Sequence, residues 1–143
     1  MDPKDLYKQT LLKHSKSPHN EGELIDSTHQ AKLTNSLCGD EVTVYLKIES
    51  NSIQRATFTA QCCSICTASA SMLTQKVQGL PTEEAHYFAQ KITTQLQDKD
   101  KPLVLSADDE LQSLEGVKQF KSRIRCATLP WEAMLASLAS SSE

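Results

Sequence analysis

The stretch Val42-Thr43-Val44-Tyr45-Leu46-Lys47-Ile48-Glu49-Ser50-Asn51-Ser52-Ile53-Gln54-Arg55-Ala56-Thr57-Phe58-Thr59-Ala60 indicates the fold of this chain. Apolar and polar residues alternate through its first eight positions, and this period of two predicts a strand with one buried face. Ser50-Asn51-Ser52 then predicts a hairpin turn. The chain returns as a second strand over residues 53–60, with Ala56, Phe58 and Ala60 on one side.

Two weaker patterns precede this hairpin. A further strand is expected near residues 30–35, and an amphipathic helix over residues 5–14 opens the chain. The apolar residues of that helix stand at helical spacing and are expected to share one stripe: Leu6, Tyr7, Leu11 and Leu12. The turn-forming residues 17–22 end the helix.

Helical spacing follows the hairpin. One helix is expected to carry Ile65, Ala68, Met72 and Val77 and to stop at Gly79. A second helix begins at Thr82, and its inner face is formed by Ala85, Phe88, Ala89, Ile92 and Leu96.

The C-terminal third contains several structure-breaking residues. Lys101-Pro102 is expected to break the chain, and a short helix over about 108–115 is expected to end at Gly116. A last helix begins between Cys126 and Trp131, so Pro130 falls in its first turn. Its apolar residues are Met134, Leu135 and Leu138.

Strands early in the chain and helices late in it predict an α+β fold, a small antiparallel sheet of about three strands covered by helices. At 143 residues the chain is expected to form a single domain, 1–143, with residues 139–143 frayed.

Composition excludes several classes of function. The net charge of -3 argues against nucleic-acid binding, which needs a basic face. No apolar run approaches the roughly 20 residues of a membrane span, and the first residues lack the apolar stretch of a signal peptide. We therefore expect a cytoplasmic protein. In that reducing compartment, five cysteines indicate metal ligands or reactive thiols more readily than disulfides.

The cysteines fall in three separate segments: Cys38-Gly39-Asp40, Cys62-Cys63-Ser64-Ile65-Cys66 and Arg123-Ile124-Arg125-Cys126. A tetrahedral metal site needs soft ligands brought together on rigid backbone. One thiolate from each segment, with the Asp40 carboxylate, would make such a set. Three sulfur atoms and one oxygen suit zinc or iron better than magnesium or calcium.

Each cysteine also has a simpler interpretation. Cys38 could be a buried thiol at the start of a strand. Cys63 and Cys66 form a C-x-x-C at a helix start, which could be a redox pair or half of a zinc site, and Cys66 could be a small core residue.

Two arginines, Arg123 and Arg125, precede Cys126. Their positive charge is expected to favour the thiolate form of Cys126. Arg125 could pair with Asp40, bind an incoming anionic sulfur, or lie solvated on the surface. His14, His19, His29 and His86 have no ligand-like spacing, so a structural role is expected for each.

Beyond these local patterns, the chain resembles the U-type iron–sulfur cluster assembly proteins, the family of NifU N-terminal domains, IscU and SufU. The order and spacing of many short matches carry the resemblance: Leu6-Tyr7, His14, Pro18-His19-Asn20, Cys38-Gly39-Asp40, Phe58, Cys63-Ser64-Ile65, Ala68-Ser69-Ala70-Ser71-Met72, Leu114-Glu115-Gly116-Val117, Phe120, Arg123-Ile124-Arg125-Cys126-Ala127-Thr128-Leu129 and Trp131.

Two features are similar to the SufU-like branch. The segment between Cys63 and Cys126 is long, as in that branch. Arg125 stands where the IscU branch has a histidine, and Gln119-Phe120-Lys121-Ser122 replaces the Leu-Pro-Pro-Val-Lys that the IscU branch offers to its chaperone.

The resemblance implies a SufE/NifU-like fold and a zinc-bound acceptor of sulfur from a SufS-like cysteine desulfurase, a sulfurtransferase that serves downstream iron–sulfur assembly proteins. By position, the implied zinc ligands are Cys38, Asp40, Cys63 and Cys126, and Cys38 is the implied sulfur acceptor. A mobile Cys38 could leave the metal to attack, while Arg125 takes Asp40 or holds the vacated position.

Two alternatives stay open. The same ligands could hold iron, as a scaffold that assembles a [2Fe-2S] cluster, or the zinc could only stabilise the fold. The chain also departs from the family at Cys62, where glycine is usual, and at Cys66, where serine is common. These surplus thiols could compete for metal, form a local disulfide or hold a second persulfide.

Overall fold

The structure is a computed structural model that describes residues 3–35, 39–98, 100, 102, 103, 105 and 109–139, with side chains from Lys8 onward. Expectations for Cys38, the Lys101 break, the helix start at 108 and tail residues 140–143 lie outside the described residues. In chain order the elements are helix α1 (Pro3–Lys16), strands β1 (His29–Asn35), β2 (Asp40–Glu49) and β3 (Ser52–Gln61), helices α2 (Ser64–Val77) and α3 (Thr82–Gln97), 3-10 helices Glu110–Gln119 and Lys121–Arg123, and helix α4 (Ile124–Ala139).

The three strands form one antiparallel sheet in the order β1-β2-β3. Ser50 and Asn51 have φ of +52° and +61°, and they form the two-residue loop between β2 and β3. Two consecutive positive φ values match the right-handed twist of a hairpin. The α+β fold and the hairpin expected from the alternating pattern are therefore confirmed.

A bulge in the hairpin decides which residues of β3 face the core. Lys47 pairs with Arg55, but Ile48 pairs with Ile53, so Gln54 is an extra residue on β3. Because the bulge resets the alternation, both Ile53 and Ala56 are buried although they are three residues apart.

The helices cover one face of the sheet. That face is formed by fully buried residues of the hairpin: Val42, Val44, Leu46, Ile53, Ala56 and Phe58. Helix α4 packs on β1 and β2, and α2 packs on β3. Helix α3 contacts α4, and α1 contacts α2. None of the described helices is both long enough and apolar enough to cross a membrane.

A hydrogen-bonded serine holds α2 against α4. The buried Ser69 hydroxyl donates to the carbonyl of Ala127 at 2.6 Å and accepts from the Trp131 indole N–H at 3.1 Å. Without Ser69, the buried indole N–H of Trp131 would lose this partner at a cost of about 1–3 kcal/mol. The two helices that begin with Cys63 and Cys126 segments are thus fixed relative to each other.

The prediction that a helix ends at Gly116 is wrong. The segment is a 3-10 helix that continues through Gly116 to Gln119. Gly116 does not have the positive φ of a helix-ending glycine. Leu111, Leu114 and Val117 are buried at a spacing of three, which is the period of a 3-10 helix.

The position expected for Pro130 is also wrong. Helix α4 begins at Ile124, so Pro130 is its seventh residue and lies inside it. Proline has no N–H to donate to the carbonyl of Cys126, four residues earlier. The helix therefore lacks one backbone hydrogen bond at this position. The proline ring and the neighbouring Trp131 side chain are both buried there.

The apolar stripe expected on α1 is only partly correct. Leu11 is buried, but Leu12 is 52% exposed. The side chains of Leu6 and Tyr7 are outside the description. The inward face is completed instead by two polar residues, Thr10 and His14, which are buried.

His14 connects α1 to α2 and to the first 3-10 helix. Ser71 accepts from the backbone N–H of His19 at 2.8 Å, and its hydroxyl lies 2.7 Å from Nδ1 of His14, which accepts the hydroxyl proton when His14 carries its own proton on Nε2. Nε2 of His14 then donates to Glu110 at 3.2 Å, and Lys13 bonds the same carboxylate. Burial lowers the pKa of His14, against the opposing effect of Glu110. The histidine is therefore neutral in the folded protein near pH 7.

We expect stability to fall as pH drops from about 7.5 to 5.5, because unfolded histidine titrates near about 6.5 and then binds more protons than buried His14. The free energy of unfolding of the His14→Gln variant should depend less steeply on pH, by up to about 1.4 kcal/mol per pH unit. Burial would raise the pKa of Glu110, but its bonds to Lys13 and His14 lower it, so its contribution is lost only at more acid pH. Urea unfolding of both proteins with saturating zinc measures the difference; equal slopes would contradict it.

Candidate metal centre

The candidate metal centre lies where one strand and two helices begin. Asp40 is the first residue of β2, Cys63 is the N-cap of α2, and Cys126 is the third residue of α4. One carboxylate oxygen and the two sulfur atoms all lie within 4.8 Å of one another. The structure thus brings together three of the four residues that the sequence analysis selected, one from each segment. Cys38, the fourth, lies outside the described residues.

The backbone before Asp40 explains how β2 can begin at the site. Gly39 has a φ of +72°, a conformation that favours glycine, and its N–H donates to the carbonyl of Asn35 at 2.8 Å. Asn35 and Asp40 are paired across β1 and β2. The turn therefore places the first residue of β2 beside the last residue of β1.

Asp40 is hydrogen-bonded to both of the other residues of the group, and only 4% of its surface is exposed. One carboxylate oxygen accepts from the backbone N–H of Cys63 at 3.2 Å. The other accepts from the thiol of Cys126 at 3.2 Å. Both oxygens are thus directed toward the two helix starts that carry the sulfur atoms.

The expectation that the neighbouring arginines favour a Cys126 thiolate is not met. Cys126 is fully buried. Burial, followed by its hydrogen bonds with Asp40 and Cys63, raises the pKa of the Cys126 thiol. Without metal this residue is a neutral thiol that donates to Asp40. Metal binding would replace that proton, which is the usual exchange at a thiolate ligand.

The donor set fits a tetrahedral metal. Zinc bonds of about 2.0–2.3 Å to oxygen and sulfur place tetrahedral ligand atoms roughly 3.3–3.8 Å apart. The carboxylate oxygen and the two sulfur atoms lie within 4.8 Å of one another, so small side-chain movements would bring them to these distances. Two sulfurs and one carboxylate suit zinc or iron.

Arg125 is not paired with Asp40. Its Nε lies 2.8 Å from a carboxylate oxygen of Glu132, and half of its side chain is exposed. The two residues are seven positions apart on α4, which is two helical turns, so they share one face. Glu132 is not predicted as a partner from the sequence, because the last helix is expected to begin only after Arg125.

Comparison with known protein families shows the family of this chain. The model of the NifU-like N terminal domain matches residues 6–127. The chain belongs to this family. It is 36% identical to the zinc-dependent sulfurtransferase SufU of Bacillus subtilis (strain 168) over 129 residues, which cover 90% of this chain and 86% of that protein.

Another relative is named as a scaffold protein, and a solved structure shares the fold. The iron-sulfur cluster assembly scaffold protein IscU of Streptococcus pyogenes serotype M1 is also 36% identical, over 90% of this chain and 80% of that protein. The crystal structure of the N-terminal NifU-like protein from Brucella abortus superposes with a TM-score of 0.83 at 22% identity, covering 94% of this chain and 93% of that one. This structural similarity to the Brucella abortus protein confirms the fold alone.

Two cysteines of this NifU-like chain lie beside the metal group without joining it. Cys66 is fully buried, as a core residue would be, whereas Cys62 is half-buried and its Sγ lies 3.4 Å from the hydroxyl oxygen of Thr67. Interaction with the Cys66 thiol lowers the pKa of Cys62, while interaction with Cys62, together with burial, raises the pKa of Cys66. Of the two interpretations of C-x-x-C, the described geometry favours neither, because Cys63 adjoins Asp40 and Cys66 lies outside that group.

Proposed function

We propose that this protein acts in iron–sulfur cluster biogenesis as a zinc-bound acceptor of persulfide sulfur from a SufS-like cysteine desulfurase. The grouping of Asp40, Cys63 and Cys126 at three element starts is the observation that carries the proposal. The zinc-dependent sulfurtransferase named above supports it as a relative of similar length. We place the protein in the cytoplasm, where reducing conditions keep its thiols free.

The proposed ligands are Cys38, Asp40, Cys63 and Cys126. Bound zinc keeps a cysteine sulfur as thiolate at neutral pH. In the transfer, the Cys38 thiolate attacks the outer sulfur of the desulfurase persulfide. A new S–S bond forms on Cys38, the S–S bond of the desulfurase breaks, and its electron pair returns to the desulfurase thiolate.

We further propose that Arg125 assists this step. Its half-exposed guanidinium would exchange Glu132 for Asp40, or bind the incoming anionic sulfur. An arginine remains charged at every accessible pH, so it can stabilise either anion but cannot bind the metal.

The decisive experiment measures desulfurase turnover with and without the zinc-loaded protein. We expect faster alanine formation from cysteine and transfer of one sulfur to the protein. Unchanged turnover together with no sulfur transfer would exclude the proposal. Transfer onward to iron–sulfur assembly proteins is then measured by adding an apo-acceptor.

A scaffold function is the second candidate, since the IscU relative is equally identical and the donor set also suits iron. Anaerobic reconstitution with iron and sulfide distinguishes the two. A stable [2Fe-2S] absorption spectrum that depends on Cys63 and Cys126 would favour the scaffold. If zinc raises stability but neither transfer nor cluster assembly occurs, the metal is only structural.

Cys62→Gly and Cys66→Ser are each expected to retain stoichiometric zinc and sulfur acceptance, because neither thiol belongs to the group around Asp40. These changes introduce the residues common in the family. Zinc content after purification and sulfur uptake from the desulfurase check the prediction. Zinc loss in Cys66→Ser alone would instead indicate a C-x-x-C ligand pair with Cys63.

A further inference from the structure

An open groove of about 440 Å³ lies beside the first two turns of α3. Its apolar lining is formed by Leu80, Tyr87 and Phe88. Tyr87 is 70% exposed, although an aromatic ring is among the side chains that gain most from burial. The groove therefore leaves aromatic surface open to a partner.

The rim of the groove is acidic. Glu83 and Glu84 line it, and both are exposed. Lys76 also lines the groove, but its Nζ lies 3.0 Å from the Asp109 carboxylate and 5.0 Å from the centre of the Phe88 ring. Within the described part of the chain, neither Glu83 nor Glu84 belongs to an ion pair. The groove thus combines an apolar lining with uncompensated negative charge.

Contacts with the core hold the groove in shape. The Phe88 ring packs against the buried Trp131 ring, with the two ring centroids 5.7 Å apart. The carbonyl of Leu80 accepts from the backbone N–H of Ile53 at 2.9 Å. Because these residues are already fixed, a docking segment would lose little affinity to reorganisation of the groove.

A segment with the complementary character lies elsewhere on the same chain. Residues 116–131 contain no acidic residue and four basic ones: Lys118, Lys121, Arg123 and Arg125. Phe120 stands between the two 3-10 helices, and 48% of its surface is exposed. Lys121 and Arg123 beside it are exposed as well. The basic segment, residues 118–123, therefore presents an aromatic side chain flanked by positive charge.

The groove and the basic segment lie toward opposite ends of α4. The start of α3 is beside the end of α4, because Thr82 and Leu138 line one cleft. The basic segment instead precedes the first residue of α4, a helix of 16 residues that is about 24 Å long. The basic segment can therefore enter this groove only on another chain.

We propose that the basic segment of one copy docks in the groove of a second copy, so that the chain forms a reversible homodimer. The Phe120 ring packs against Tyr87 and Phe88, while Lys121 lies against the acidic rim. Because each chain carries both the groove and the segment, a twofold arrangement makes the contact twice. An apolar centre with a charged rim is the usual anatomy of an interface, and one this small belongs to the weak, transient class.

Sedimentation equilibrium of the zinc-loaded full chain tests the proposal over about 10–500 μM, a range suited to a weak contact. A thiol reductant is included so that disulfides between chains do not contribute. We expect the mass to approach that of two chains, with a dissociation constant that rises with added salt, since the rim contact is between charges. A chain that stays monomeric over the whole range would overturn the proposal.

Tyr87→Ser and Phe120→Ser are each expected to raise the dissociation constant of the dimer about tenfold or more, as the loss of an aromatic anchor does. Leu12→Ser is the matched control, because Leu12 is 52% exposed on α1 and lies outside the proposed contact. It should dimerise like the natural sequence. A dimer of undiminished affinity in both aromatic variants would reject the docking assignment.

Charge reversal gives the sharpest test. Glu83→Lys/Glu84→Lys and Lys121→Glu/Arg123→Glu each place like charges on both sides of the contact, so each variant alone should be monomeric. An equal mixture should dimerise, because every groove then meets a segment of opposite charge. Two folded variants that stay monomeric when mixed would contradict the proposal.

Melting and zinc content establish that each reversed variant is folded, since Glu83 and Glu84 also lie in the first turn of α3, where negative charge stabilises a helix. If Arg123→Glu lowers the melting temperature, Lys121→Glu alone replaces the double change. Lys8→Glu, a reversal of an exposed charge on α1, should leave dimerisation of the natural sequence unchanged.

The desulfurase is the other candidate occupant of the basic segment. If the natural sequence stays monomeric and Phe120→Ser slows sulfur transfer from the desulfurase, the segment contacts that enzyme and the homodimer is rejected. The sedimentation measurements contain no desulfurase, so their failure would leave the sulfur-acceptor function untouched. Dimerisation without any sulfur transfer would support the homodimer and reject the acceptor function.

Discussion

Cys126→Ala is expected to abolish zinc binding and the stabilisation that zinc provides. Cys126 is fully buried and its thiol donates to Asp40, so its sulfur is held inside the group. A ligand present at a thousand times its dissociation constant stabilises a protein by about 4 kcal/mol. For a domain of this size, that loss lowers the melting temperature by on the order of 10 °C. Cys63→Ala should behave in the same way.

The measurement must separate metal loss from the cavity that alanine leaves. Melting is therefore recorded with and without zinc for each protein, and zinc content is measured directly. Cys66→Ala is the matched control, because Cys66 is equally buried on the neighbouring helix but does not join the group around Asp40. It should keep the zinc-dependent shift. Full zinc and unchanged melting in both Cys63→Ala and Cys126→Ala would show that the ligand assignment is wrong.

The sheet could be predicted because its information is local. Alternation from Val42 to Glu49 and the turn-forming Ser50 and Asn51 specify a hairpin without reference to other elements. The bulge at Gln54 could not be predicted in this way, because it depends on which residue of β2 pairs opposite β3.

Predictions that depend on one residue type fail where the pattern of its neighbours outweighs it. Gly116 alone predicts a helix end, although the buried residues Leu111, Leu114 and Val117 keep a spacing of three across it. Pro130 alone predicts the first turn of a helix, whereas α4 begins six residues before it. Tertiary contacts stabilise both segments despite the unfavourable residue.

The proximity of three residues of the candidate centre could be predicted, but their hydrogen bonds could not. Cysteine spacing and the family motifs selected Asp40, Cys63 and Cys126, and the structure groups them. The partner of Arg125 depends on where α4 begins. A helix that starts after Arg125 does not bring Glu132 onto its face, whereas α4 starts at Ile124 and places the two residues two turns apart on one face.

Cys38→Ala is expected to lose stimulation of the desulfurase completely while disturbing the fold less than changes at the other cysteine ligands. In the sequence, Cys38 precedes a strand and adjoins Gly39, whose φ of +72° marks a tight backbone turn. Cys63 and Cys126 stand at helix starts and are held by contacts with Asp40. Cys38 is thus the proposed ligand best able to leave the metal and attack a persulfide.

Cys38→Ser distinguishes metal binding from sulfur transfer at this position. A serine oxygen can still coordinate zinc, so we expect partial zinc retention, but serine cannot carry a persulfide. Mass spectrometry after incubation with desulfurase and cysteine should locate one added sulfur on Cys38 of the natural sequence and none in either variant. If desulfurase turnover stays intact in Cys38→Ala and persulfide persists on Cys62 or Cys66, the primary acceptor is one of these two cysteines at the start of α2 and the assignment to Cys38 is wrong.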